Sequence, residues 1–393
     1  MKILVTDGNN RAALAITRSL GRKGYTIVVG ATAHPSLASS SKYCSETVFY
    51  PCPISSPGKF IDCIIQIIKD CTIDIVLPVS DVTTIPIAAH KATLENFCDV
   101  PVADHDAVES AADKARLFHV AKELGVAIPQ TIPVNSGNQR IDLPEAMKFP
   151  LAVKPCRSRI LTDNGWISTS VSYVNKPSEL SKTISGIPPR AFPVLLQERI
   201  VGPGIGVFTC YNEGKPIVFF SHRRLREKPP SGGVSVLRES IPVPEQAQKY
   251  SELLLNHMSW HGVAMVEFKM DERDNLPKLM EINGRFWGSL QLAIDAGVDF
   301  PRLLVEIAEG KNIAPASDYR VGIKTRWLLG DIDSLLLMLF KRKDRLNLPK
   351  GHRSTFNYCI DFFKFRGDNL HYEILSRDDI KPWLYELRKW LIK

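Results

Sequence analysis

The chain has 393 residues, 44% apolar and 23% charged, and carries a net charge of +8. That composition belongs to a folded globular protein and excludes a disordered or fibrous one, and the length implies two to four domains. No apolar run approaches the ~20 residues needed to span a bilayer, since Leu335 to Phe340 is short and followed by charges. The N-terminus enters Ile3-Leu4-Val5 directly, without the basic region and long apolar stretch of a signal peptide, so a cytoplasmic location is expected.

The first hundred residues alternate strand-like and helix-like runs. Lys2 to Thr6, Tyr25 to Gly30 and Ile73 to Pro78 read as buried strands. Arg11 to Lys23 and Phe60 to Lys69 have helical spacing. Short apolar strands between amphipathic helices predict a parallel, Rossmann-like α/β domain over residues 1–105. Asp7-Gly8-Asn9-Asn10 follows the first strand, where doubly wound folds place a phosphate-binding turn. Its single glycine does not make the G-x-G-x-x-G of a dinucleotide site, so a turn at the edge of a substrate cleft is expected instead. Pro78-Val79-Ser80-Asp81 ends another strand on the same side.

A helix is predicted from Ala111 to about Leu124, stopped by Gly125. Phe149 to Pro155 reads as a strand ending in Lys154, with Val171 to Val174 as its hairpin partner and Pro193 to Gln197 as a further strand leading into Glu198. Strands then predominate: Val207 to Tyr211, Ile217 to His222, Val263 to Met270 and Lys278 to Ile282. This is an α+β region with antiparallel pairing, divided as 106–196 and 197–313. Gly310 to Ser317 reads as a linker into a basic extension, 314–393, where 16 Lys and Arg face 10 Asp and Glu. The eight cysteines have no C-x-x-C pairs or zinc spacing, so free thiols are expected.

The segment richest in chemistry is Val266-Glu267-Phe268-Lys269-Met270, a polar turn at Asp271 to Asn275, then Met280-Glu281-Ile282-Asn283-Gly284-Arg285. Strand side chains alternate, so Glu281 and Asn283 share a face that Glu267 could join from the opposite strand. Two carboxylates and an amide oxygen are hard ligands suited to magnesium carrying nucleotide phosphate. Arg285, on the same face, could meet a phosphoryl group or an oxyanion. Lys154 ends an apolar strand, where an ammonium needs an anionic partner. Finally, His222-Arg223-Arg224-Leu225-Arg226 precedes Gly232-Gly233, a strand of arginines before a loop able to bring backbone N–H groups to an anion. A nucleic-acid surface is disfavoured, because no aromatics are interleaved as stacking platforms.

The stretch from Gly262 to Gly310 resembles the ATP-grasp superfamily, closest to its carbamoyl-phosphate-synthetase-like and carboxylate–amine ligase branches. Earlier pieces follow in the family's order: Asp113-Lys114, Val153-Lys154-Pro155 and Gln197-Glu198-Arg199-Ile200. The resemblance spans roughly residues 1–312 and implies a pre-ATP-grasp domain, a two-subdomain ATP-grasp fold and a small C-terminal extension. It implies that Lys114 and Lys154 meet nucleotide phosphates and that Gln197, Glu198 and Ile200 line the adenine hinge. Glu267, Glu281 and Asn283 would hold Mg2+, with Mn2+ as an alternative ion. Arg285, with Arg223 or Arg226, would act on the transferred group. The loop Cys156 to Trp166 departs from the family pattern in having one glycine, so Arg157 or Arg159 is expected to supply side-chain contacts. Gly202 to Gly206 stands where relatives carry an acidic ribose contact.

The implied activity is ATP-dependent ligation of a carboxylate to an amine or thiol through an acyl phosphate, releasing ADP and phosphate. Bicarbonate-using carboxylation or carbamate formation, and a non-catalytic nucleotide-binding scaffold, are the alternatives. Small-molecule substrates and a homodimer are the implied partners, without nucleic acid or membrane.

Overall fold

The computed structural model describes residues 1–145, 147–157, 159–162, 165–168, 171–230, 232–314, 318–341, 354–364, 367 and 369–392. The N-terminal region runs β1 (Lys2–Val5), α1 (Arg11–Arg22), β2 (Thr26–Ala31), β3 (Glu46–Phe49), α2 (Pro57–Cys71), β4 (Ile75–Leu77), α3 (Asp81–Ala89) and the short α4 (Lys91–Leu94). Its strands form a parallel sheet ordered β3-β2-β1-β4. The continuous apolar runs of β1, β2 and β4 are explained by helices covering both faces. The edge strand β3, Glu-Thr-Val-Phe, is largely exposed and carries no apolar run, so the sequence gives no sign of it.

The middle region runs α5 (His105–Ala112), α6 (Lys114–Glu123), β5 (Thr131–Val134), β6 (Leu151–Pro155), β7 (Arg159–Thr162), β8 (Gly165–Ser168), β9 (Ser172–Val174), α7 (Pro177–Ser185) and β10 (Val194–Glu198). Strands β5-β10-β6-β9 make an antiparallel sheet, and β7 and β8 form a separate hairpin. Because β10 pairs throughout with β5 and β6, a boundary at 196/197 falls inside a strand. The single helix expected from Ala111 is two helices. Asp113 sits between them with extended backbone, and its carboxylate accepts the Ala115 and Arg116 N–H groups at 3.0 and 3.3 Å. An N-capping aspartate starts a new helix, and here it makes Lys114 the first residue of α6.

The rest runs β11 (Gly204–Asn212), β12 (Lys215–Lys228), β13 (Val234–Ile241), α8 (Glu245–His257), β14 (Gly262–Met270), β15 (Pro277–Asn283), α9 (Leu290–Ala296), α10 (Phe300–Ala308), β16 (Lys324–Arg326), α11 (Leu328–Phe340), α12 (Thr355–Phe362), β17 (Leu370–Tyr372) and α13 (Lys381–Leu391). One seven-stranded sheet, β15-β14-β11-β12-β13-β16-β17, spans it. The extension past residue 313 contributes β16 and β17 to this sheet.

Two apolar cores cross the regions. Ile3, Leu14 and Leu77 pack in one cluster with Phe208, Trp287 and Leu304. A second joins Phe60, Leu117 and Val207 with Trp260. The chain's end ties the regions further. Asp379 accepts from Arg18 at 2.9 Å and Ser41 at 2.6 Å, and Glu373 is shared by Arg11 and Arg238 at 2.5 and 2.7 Å. These ties fix the mouth of the N-terminal sheet against the seven-stranded sheet. Among the described residues no helix is long and apolar enough to cross a membrane.

Candidate functional site

The hairpin β14–β15 forms because two apolar-alternating strands flank a polar turn, with Asn275 in the left-handed region at φ 56°. Its register sets Glu267 directly opposite Glu281. Facing carboxylates repel unless a cation intervenes, and two do. Lys114 Nζ lies 3.1 Å from Glu281, and Arg224 Nη2 lies 3.0 Å from Glu267. Burial pushes the Glu267 carboxyl above its ordinary range despite Arg224. Burial also acts on Glu281, but Lys114 and Asn283 outweigh it and hold that carboxyl below its ordinary range. The pair is thus unequal, and it holds charge only while cations stay close.

A hydrogen-bonded row continues from the hairpin. Asn283 Nδ2 donates to Glu281 Oε1 at 3.0 Å, and Arg285 Nη2 donates to Asn283 Oδ1 at 2.9 Å. Arg285 is then fixed by Asp81 at 2.9 Å and by the Phe286 carbonyl at 2.8 Å. Asp81 begins α3, beyond the carboxyl end of β4, so the N-terminal sheet reaches into the site there. Next to it Asp7, at φ 58°, accepts from Thr83 Oγ1 at 2.6 Å and Ser80 N–H at 3.0 Å, which fixes this corner. Lys114, Arg157, Trp166, Glu281, Asn283 and Asp81 line one cavity.

Lys154 ends the apolar part of β6, and among the described residues its ammonium hydrogen-bonds only the Met280 thioether, at 3.8 Å. Burial, with Lys114 close by, lowers its pKa to about 8. A half-buried lysine with no carboxylate partner among the described residues is poised for an anion. Arg157 is already held by Glu109 at 2.6 Å and Asp113 at 3.2 Å. The side chain of Arg159 lies outside those described.

At the hinge, Gln197, Glu198 and Ile200 are all buried. Gln197 Nε2 donates to Thr131 at 3.0 Å. The Glu198 carboxylate accepts the Gln130 N–H at 2.9 Å and Arg273 at 2.9 Å. The Ile200 carbonyl accepts from Lys269 at 3.4 Å.

The geometry gathers Lys114, Lys154, Glu267, Glu281, Asn283 and Arg285, but not Arg223 or Arg226. Strict alternation would put Arg224 and Arg226 on one face. A bulge between them pairs Arg224 with Arg238 but Arg226 with Leu237, turning Arg226 to the back of the sheet. There it is buried against Asp331 of α11, with bonds of 2.8 and 2.5 Å. Arg223 is exposed and bonded to Glu239 at 2.8 Å. Arg224 is the arginine facing the carboxylates. It and Asp81 are the site residues that spacing did not single out.

Two carboxylates and one amide fit a magnesium ion whose remaining ligands come from nucleotide phosphate and water. The cations now on Glu267 and Glu281 mark where positive charge is wanted. Among the described residues no three His, Cys, Asp or Glu side chains gather into a metal site.

The profile of a family described as "ATP-grasp in the biosynthetic pathway with Ter operon" matches residues 191–329, which hold the hairpin and Arg224. No curated protein matches the sequence. Three solved structures are similar at 14–15% identity. Biotin carboxylase from Campylobacter jejuni has a TM-score of 0.65, over 82% of this chain and 74% of that one. N5-carboxyaminoimidazole synthetase from Staphylococcus aureus has 0.64, over 86% and 85%. An L-amino acid ligase from Bacillus licheniformis has 0.57, over 78% and 73%. Residues 191–329 thus match an ATP-grasp family profile, and the chain shares the fold of these structures.

Proposed function

We propose that this chain is an ADP-forming ligase of the ATP-grasp type that activates a small carboxylate with ATP and joins it to an amine or, with a different acceptor, a thiol. The observation that carries the reading is the convergence of two lysines, two facing carboxylates, an amide and an arginine around the β14–β15 hairpin. A carboxylate site alone would not need Lys154 half-buried with no acid partner among the described residues, and a plain nucleotide-binding fold would not need Arg285 fixed beside the proposed metal ligands.

In this reading Lys114 and Lys154 hold phosphate oxygens, and the hinge at Gln197, Glu198 and Ile200 receives the adenine. Glu198 contributes through its backbone as well, because its carboxylate already accepts two donors. Glu267, Glu281 and Asn283 hold Mg2+, or Mn2+ in its place. When bound, the ion neutralises charge that builds on the transferred phosphoryl group. The substrate carboxylate oxygen forms a bond to the γ-phosphorus as the bond to ADP breaks, giving an acyl phosphate. The amine then attacks the acyl carbon, phosphate leaves, and the amine loses a proton. Arg285 and Arg224, in place of Arg223 and Arg226, steady the oxygens of the migrating group.

The test is ADP and phosphate release from MgATP with pools of carboxylates, amines and bicarbonate, followed by mass spectrometry of the product. Release that needs a carboxylate and an amine together supports the ligase. Release with bicarbonate alone moves the chain to carboxylation, and binding of ATP without release under any pool overturns the reading.

A further inference from the structure

The cavity beside the β14–β15 hairpin is lined at one end by Lys114, Glu281 and Asn283 and at the other by residues of α3 and α5. Asp81, Thr84 and Ile85 stand at positions i, i+3 and i+4 of α3, and Val108 and Ala112 at i and i+4 of α5. Each helix therefore turns one face to the cavity. The hinge residues Gln197, Glu198 and Ile200 are not among those lining it. In the ligase reading the cavity begins at the phosphates and runs away from the adenine, where the reacting carboxylate must lie. Its far wall suits a short apolar group. Ile85, Val108 and Ala112 offer only carbon side chains, and a volume of about 50 Å³ has room for only a few atoms.

Two oxygens of this wall select the rest of the ligand. Thr84 is 2% exposed, and its Oγ1 is buried with no hydrogen-bond partner among the described residues. A buried hydroxyl left unpaired costs about 1–3 kcal/mol, so the position calls for a partner from outside the chain. Asp81 Oδ1 accepts from Arg285 Nε at 2.9 Å, and Asp81 Oδ2 accepts no bond among the described residues. A carboxylate oxygen can only accept, and Thr84 Oγ1, one turn along the helix, can accept as well. The pair suits a donor, an ammonium or a hydroxyl, on a ligand whose carboxylate lies toward Asn283 and Arg285.

We infer that the carboxylate substrate is a small 2-amino or 2-hydroxy acid with a compact aliphatic side chain. Asp81 and Thr84 hold its donor, and Ile85, Val108 and Ala112 receive its side chain. The inference rests on the ligase reading for the direction of the carboxylate, and a binding experiment separates the two. L-alanine, L-lactate and propionate share one carbon skeleton and differ only in the donor. Each is titrated calorimetrically into the full chain holding Mg2+ and the β,γ-imido analogue of ATP. L-alanine or L-lactate should bind about tenfold or more tightly than propionate, and the tighter of the two identifies the donor. Thr84→Val puts a methyl in place of the hydroxyl and should shrink that preference by about threefold or more. L-phenylalanine should bind the parent more weakly than L-alanine, and Ile85→Ala should narrow that gap by about threefold or more. Equal binding of propionate, a preference unchanged in a Thr84→Val variant that melts like the parent, or no binding by any of these acids overturns the inference. ADP release that depends on carboxylates but ignores the donor also overturns it, while leaving the ligase standing. Donor-dependent binding that Thr84→Val weakens, without ADP release, upholds the pocket and removes the ligase.

Discussion

Nucleotide binding should draw a proton onto Lys154. In the free protein its pKa is lowered from 10.5 to about 8, first by burial and then by Lys114. Phosphate oxygens against the ammonium would restore it toward the ordinary value. At about pH 8.5 only about a quarter of the free protein would carry the proton, against essentially all of the complex, an uptake of about three-quarters of a proton. Between about pH 8 and 10 the affinity for ATP should fall by about tenfold per pH unit. Calorimetric titration in two buffers of different ionisation enthalpy reads the uptake directly. Lys154→Arg keeps a permanent charge and should bind without uptake, whereas Lys154→Met should lose affinity and uptake together. Equal enthalpies in the two buffers, or uptake persisting in Lys154→Arg, would refute the assignment.

Glu281→Ala and Asn283→Ala should each lower ADP release by about a hundredfold or more, with an unchanged circular dichroism spectrum. A fully active variant would remove that residue from the metal set. Arg224→Met should cut ADP release at least about tenfold, by loss of transition-state contacts. Arg226→Met should instead cost roughly 3 kcal/mol of stability, since it breaks a buried pair with Asp331. Denaturant melts and turnover of the two variants separate the roles, and the reversed pattern would contradict the bulge's assignment of faces. Burial raises the Glu386 pKa from 4.5 to about 7, against the opposing effects of Trp327 and Arg11. The folded state therefore keeps a proton that the unfolded chain releases, so stability is lost as pH rises from 4.5 to 7. The loss should be about 2–3 kcal/mol. Glu386→Gln keeps an acceptor for Trp327 and should melt higher than the parent at pH 8, and a lower melting temperature there would count against the shift.

The hairpin was legible because its chemistry is local. Glu267, a turn and Glu281 lie within one pair of strands, where alternation and register suffice to bring them together. Lys154 was legible because an ammonium closing an apolar strand demands a partner. Arg224 was not, because a one-residue bulge decides which arginine of β12 faces forward, and no composition signal marks it. The break at Asp113 was hidden because the flanking residues continue helical spacing and only the capping carboxylate reveals it. Strands β16 and β17 have three residues each and pair in parallel across α11 and α12, too short for periodicity to register. The buried ties of Arg18 to Asp379 and of Arg238 to Glu373 join residues 361 and 135 positions apart (379 − 18 and 373 − 238), beyond any local pattern.

The most direct test of the central claim uses carboxylate pools whose oxygens carry the heavy isotope of oxygen, with MgATP and amines. If the chain activates a carboxylate through an acyl phosphate, each turnover places one labelled oxygen in the released phosphate. Phosphate released without label, from an active enzyme, would contradict the mechanism.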